Sequence, residues 1–69
     1  MVEIIVNGET QRIAQNATVA QLLERLFSSA PQQGIAVAVN DEVVPRVRWV
    51  AHTLNAGDTL EVLQATQGG

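Results

Sequence analysis

The chain has 69 residues, seven acidic side chains against four basic ones (Arg12, Arg25, Arg46 and Arg48), a net charge of -3, one His and no Cys. The missing Cys removes disulfides, thiolate catalysis, iron–sulfur ligation and Cys-based zinc sites, the missing Lys removes a side-chain amine for Schiff-base or acyl-transfer chemistry, and His52 alone builds no metal cluster. The acidic balance argues against nucleic acid or an anionic membrane and for a protein partner with a basic site; no apolar run suits a membrane span or an export signal, which makes the cytoplasm the expected compartment.

A domain this small buries only about 60% of the surface its unfolded chain exposes, so a few aliphatic residues must supply the core. "VEIIVNGETQRI" reads as a hairpin: a strand over Val2 to Val6, Asn7-Gly8 as a type I′ turn pair, and a second strand near Glu9 to Ile13. Val2, Ile4 and Val6 share one face, Glu3 and Ile5 the other. In "TVAQLLERLFSS", Thr18 and Gln21 form a capping box, and Val19, Leu22, Leu23 and Leu26 form an apolar stripe of helical period. This predicts a helix of about three turns, stopped by Ser28, Ser29 and Pro31. "IAVAVN" then alternates as a strand, with Ile35, Val37 and Val39 on one face and Ala36 and Ala38 on the other. Asn40-Asp41 turns the chain into "EVVP", a short strand that Pro45 ends or confines to an edge.

"RVRWVAHTL" has no clean period and is expected to be irregular or briefly helical, carrying Trp49 and Leu54 to the core. After the turn "NAGD", "TLEVLQA" forms the last strand, with Leu60 and Val62 inward and Glu61, Leu63 and Ala65 outward. The expected class is α+β: a mixed sheet of four to five strands packed on one helix, the β-grasp arrangement of ubiquitin-like proteins, with the last strand central beside the first. A folded domain over residues 1–65 followed by a flexible tail over residues 66–69 is the implied organisation.

Candidate catalytic groups are few. Asp41 and Glu42 are adjacent on a turn and point apart; His52 has no partner identifiable in sequence; Gly8, Gly34 and Gly57 are isolated turn glycines rather than a phosphate-binding run. Trp49 reads as core filling, and Arg46 as a surface residue paired with an acidic group of the body or of a partner. Ile5, Ala38, Leu63 and Ala65, outward on the sheet side the helix leaves bare, form a candidate partner-binding face. The tail, with Thr66 and Gln67 as further partner contacts, spans roughly 13 Å when extended, and Gly68 and Gly69 carry no Cβ, so it suits a narrow slot. What such a tail delivers is the Gly69 α-carboxylate, an anion at neutral pH that can attack an activated phosphorus.

"VNDEVVPR" at 39–46, Trp49, His52, "GD" at 57–58, "LLE" at 22–24 and the closing "GG" together resemble the ThiS family, the small sulfur carriers of thiazole synthesis in thiamine biosynthesis. The resemblance spans essentially the whole chain. It implies a chain that is not itself an enzyme and acts as a monomer in isolation. It implies that Gly69 is adenylated by an E1-like activating enzyme using ATP and Mg, and converted to a thiocarboxylate by a sulfur donor system such as a cysteine desulfurase. It further implies that the sulfur passes to thiazole synthase, with Gly68 the slender neck before the reactive group. Ala65-Thr66-Gln67 is more polar than the approach to the glycines that the resemblance implies. Three alternatives share the fold expectation: the small subunit of molybdopterin synthase, which carries sulfur to a pterin precursor, a protein-tagging modifier of the ubiquitin type, and a β-grasp interaction module without sulfur chemistry.

Overall fold

The computed structural model describes residues 1–27 and 34–64. β1 (Val2–Val6) and β2 (Glu9–Ile13) form the expected hairpin, paired from Val2↔Ile13 to Val6↔Glu9. The turn between them takes φ of 50° at Asn7 and 84° at Gly8, both in the left-handed region that a type I′ turn demands. Helix α1 (Val19–Phe27) buries Val19, Leu22 and Leu23, with Leu26 half-buried against the core. Its start is the capping box read from the sequence: the Gln21 N–H donates to Thr18 Oγ1 (3.2 Å), and the Thr18 N–H donates to Gln21 Oε1 (2.9 Å). The expected helix stop at Ser28, Ser29 and Pro31 lies outside the described residues, as do Ala65 and the tail.

β3 (Ile35–Val39) and β4 (Glu42–Val43) are joined by Asn40 and Asp41, with φ of 51° and 70°. β4 is brief because Pro45 has no N–H to donate; the Val44 N–H, bonded to the Val37 carbonyl at 2.8 Å, is the last contribution to the β3 ladder. A single 3₁₀ turn, Arg46–Arg48, follows, and β5 (Thr59–Gln64) closes the sheet. The sheet order is β2-β1-β5-β3-β4, with β1 and β5 parallel and the other pairs antiparallel. The last strand is therefore central beside the first, as the element order implied.

The core lies between one face of this sheet and α1. Ile4, Val6, Ile13, Val37, Val39, Leu60 and Val62 come from the strands, and Val19, Leu22 and Leu23 from the helix. Burying each Leu or Ile is worth about 1.5–3 kcal/mol. The segment without a clean period completes the core, supplying Val44, Trp49 and Leu54. It also satisfies helix-start amides that have no partner within the helix: the Val19 N–H donates to the His52 carbonyl (2.9 Å) and the Ala20 N–H to the Trp49 carbonyl (3.0 Å). The Leu54 N–H returns the tie to Ala17 (2.8 Å). No helix among the described residues is long and apolar enough to cross a membrane.

Candidate functional site

The strand that leads toward the closing glycines is held from both sides. On the β3 side the ladder continues from Val39↔Leu60 to Ile35↔Gln64. On the β1 side backbone pairing covers Ile5↔Thr59 and Val6↔Leu60 only, with the Ile5 N–H donating to the Asp58 carbonyl (2.9 Å) and the Asn7 N–H to the Leu60 carbonyl (3.0 Å). Beyond that point the Asn7 side chain takes over: its Nδ2 donates to the Val62 carbonyl (3.0 Å), and its Oδ1 accepts from the Val62 N–H (2.9 Å).

The start of β5 is fixed by a second polar set. Asp58, buried, accepts from Asn40 Nδ2 at Oδ1 (3.0 Å) and from the Asn55 N–H at Oδ2 (2.9 Å). Asn40 Oδ1 in turn accepts from the Thr59 N–H (3.0 Å). A buried carboxylate is costly without donors, and these two provide them. The Asn55-to-Asp58 turn is thereby locked to the β3–β4 turn, with Gly57 at φ 86°, a conformation that a Cβ would strain.

The outward face of the sheet carries the apolar residues read as a partner surface, but the register divides them. Ala36 pairs with Leu63, and Ala38 with Glu61 on one side and Val43 on the other, which places Leu63, Ala36, Ala38 and Val43 on neighbouring positions of one face with Glu61 at its β5 edge. Leu63 is 67% and Val43 76% exposed. Ile5, at 39%, sits opposite Thr59, four residues from Leu63 along β5 and so about 13 Å away. It belongs to the same face without touching that group. Val43 went unnoticed in the sequence because its outward direction depends on the pairing with Ala38. Ala65, Thr66, Gln67, Gly68 and Gly69 lie outside the described residues.

The remaining candidates have structural duties. Trp49 is 4% exposed, and its Nε1–H donates to the Val44 carbonyl (2.9 Å). Arg46 places its guanidinium over the indole ring, 5.8 Å from the centroid, a cation–π contact; among the described residues no acidic group of the body pairs with it, the ion pair there being Glu3–Arg12, exposed, at 3.2 Å. His52 contributes its backbone, with its N–H donating to the Arg48 carbonyl (2.9 Å) and its own carbonyl serving the helix start. Asp41 and Glu42 are exposed on their turn. Among the described residues no group of three or more His, Cys, Asp or Glu is placed to hold a metal ion.

The family model of the ThiS family matches residues 4–69. The chain belongs to the ThiS family. Among curated proteins it is 36% identical over 67 residues to the sulfur carrier protein ThiS of Escherichia coli, covering 97% of this chain and 98% of that one. A thiazole synthase of Paramagnetospirillum magneticum is 31% identical over 67 residues, which is 20% of that protein's length. Among solved structures, the crystal structure of the thiamine biosynthesis protein ThiS from Geobacter metallireducens aligns with a TM-score of 0.81 at 31% identity, over 99% of this chain and 100% of that one. The solution structure of a thiamine biosynthesis protein from the same organism aligns at 0.79, also at 31% identity, over 99% of this chain and 88% of that one. The β-grasp arrangement read from the element order is thus the fold of this ThiS-family chain.

Proposed function

We infer that this ThiS-family chain is a sulfur carrier for formation of the thiazole moiety of thiamine, acted on by enzymes and not itself a catalyst. The observation that carries the reading is the end-to-end match: the family model runs through Gly69, and similarity to the E. coli sulfur carrier covers nearly all of both chains. The architecture suits the role, because β5, which precedes the glycines, is braced between β1 and β3.

The chemistry follows from the one group the composition leaves. The Gly69 carboxylate attacks the α-phosphorus of ATP and pyrophosphate departs; the resulting acyl adenylate is a good acyl donor where the free carboxylate is not. The terminal sulfur of a persulfide then displaces AMP to give an acyl disulfide, and a thiol breaks its S–S bond, carrying off the other sulfur as a disulfide and leaving a thiocarboxylate at Gly69. ATP and Mg are bound by an E1-like activating enzyme, and the sulfur comes from a donor such as a cysteine desulfurase. The acceptor enzyme is a thiazole synthase, a reading supported by a stretch similar to this chain within a protein of that name. The apolar group around Leu63 and Ala38, with Ile5 beyond it and Ala65, Thr66 and Gln67 following β5, supplies the docking face. Gly68 gives the narrow approach, and the setting is the cytoplasm.

Intact-mass measurement after incubation with ATP, Mg, the activating enzyme and a sulfur source tests the reading. Exchange of one terminal oxygen for sulfur, localised to Gly69, is the expected result. An unchanged mass where a control carrier reacts, or an unimpaired reaction after a residue is added beyond Gly69, would refute it. Transfer of the sulfur to a pterin precursor in place of the thiazole precursor would move the carrier to the molybdopterin pathway.

A further inference from the structure

We propose that Asn7 is a positioning residue for the carrier's reactive end: its carboxamide acts as a substitute rung of the β1–β5 ladder and fixes where β5 hands the chain on toward Gly69. This rests on the carrier reading above. Parallel pairing between β1 and β5 ends at Val6↔Leu60, because the chain turns away at Asn7 and Gly8 into β2. Leu60 and Val62 direct their backbone groups to the β1 side, as the Asn7 contacts to both of them show. Without the carboxamide, the Val62 N–H and C=O would face no strand. A primary amide presents one acceptor and a donor in the same plane, the complement of one residue's backbone pair. Asn7 meets both groups, at 2.9 and 3.0 Å, across 55 residues of sequence.

Val62 is two residues from the end of β5, and Ala65 to Gly69 follow. Among the described residues the carboxamide is the last tie on the β1 side before that stretch. With it in place, β5 is the middle of three elements as far as Val62. Lacking it, the strand's final turn of ladder rests on β3 alone, an arrangement much less resistant to fraying. A carrier whose tail must be threaded into an enzyme gains from a fixed point of departure, since ordering costs are then met in folding and not in binding.

The backbone at Asn7 has positive φ, so Ala there would confound loss of the side chain with turn strain. Asn7→Gly retains the turn and removes the carboxamide; Asn7→Asp retains the turn and one acceptor but sets a carboxylate oxygen against the Val62 carbonyl. In full-length ¹⁵N-labelled chain, Asn7→Gly is expected to speed amide exchange at Val62 by about tenfold while Val39, in β3, exchanges as in the parent. With the activating enzyme, ATP and Mg, the apparent KM for the carrier should rise about 5- to 10-fold in both variants, with kcat within about twofold because the reacting carboxylate is intact. Unchanged exchange at Val62 in Asn7→Gly overturns the rung. Faster exchange with an unchanged KM overturns the positioning role and leaves a structural contact only. If the parent chain is not adenylated at all, the carrier reading fails and takes the positioning role with it, and the exchange result still decides whether the rung exists.

Discussion

Replacing Trp49 by Phe removes one hydrogen bond and a third of an aromatic system from a place where both are buried. The Trp49 Nε1–H bonds the Val44 carbonyl at 2.9 Å, and both residues belong to the core. Leaving that carbonyl without a donor costs about 1–3 kcal/mol. The smaller ring adds roughly 1 kcal/mol for lost burial and the space left behind. Weakening the contact with Arg46 adds a few tenths more, since the cation is exposed. The expected loss is about 2–4 kcal/mol, against a total stability for a chain of this length of about 3–10 kcal/mol. Melting should fall by roughly 10 to 30 °C. As Trp49 is the sole Trp, the parent can be followed by indole fluorescence and the variant by far-UV circular dichroism, with urea titrations of both giving the free energies. A loss under about 1 kcal/mol would refute the reasoning that the buried Val44 carbonyl depends on the indole N–H for its donor. Protein that remains folded should still accept sulfur at Gly69 at the parent's rate, because among the described residues Trp49's hydrogen bonds and cation–π contact are to Val44, Arg46 and Ala20, none of them on β5.

Other substitutions probe the site more locally. Gly8→Ala, at φ 84° with open space around the added methyl, should cost about 1–2 kcal/mol by chemical denaturation, all of it backbone strain and none of it clash. Asp58→Asn keeps the size but turns one acceptor into a donor facing either Asn40 Nδ2 or the Asn55 N–H; a loss of about 1–3 kcal/mol is expected, read from the same urea titrations. Leu63→Glu, on an exposed position beside Glu61, should leave stability within about 0.5 kcal/mol yet weaken capture by the activating enzyme in a pull-down or calorimetric titration; undiminished binding would remove the Leu63 group from the docking face.

Much of the fold was legible because its signals are local. Asn7-Gly8 between two alternating runs fixes a hairpin by backbone sterics alone, and Thr18 with Gln21 marks the helix start through two hydrogen bonds within three residues. The stretch from Arg46 to Leu54 was less so: its 3₁₀ turn at Arg46–Arg48 buries nothing, and Trp49 and Leu54 reach the core beside backbone ties to the helix start and Ala17, not through a period of their own. Gly69 stood out by elimination, on a chain without Cys or Lys. The apolar sheet face proposed for docking was legible only in outline: alternation gives the side of the sheet each residue faces, but register decides its neighbours. That is why Ile5, on β1 beside Thr59, and Leu63, four residues further along β5, share a face yet lie apart, and why Val43 was missed.

By itself the sequence determined the strand and helix signals, the excluded chemistries and the choice of the Gly69 carboxylate as the candidate reactive group, because each depends on residue type and short-range spacing. Only the tertiary structure decided what the asparagines do. Asn7 and Asn40 read as turn formers, and turn formers they are, yet their carboxamides also reach Val62, Asp58 and Thr59 across 55, 18 and 19 residues of sequence. A side chain's local conformational preference is written in its type. Its hydrogen-bond partner is set by which strand the fold brings alongside.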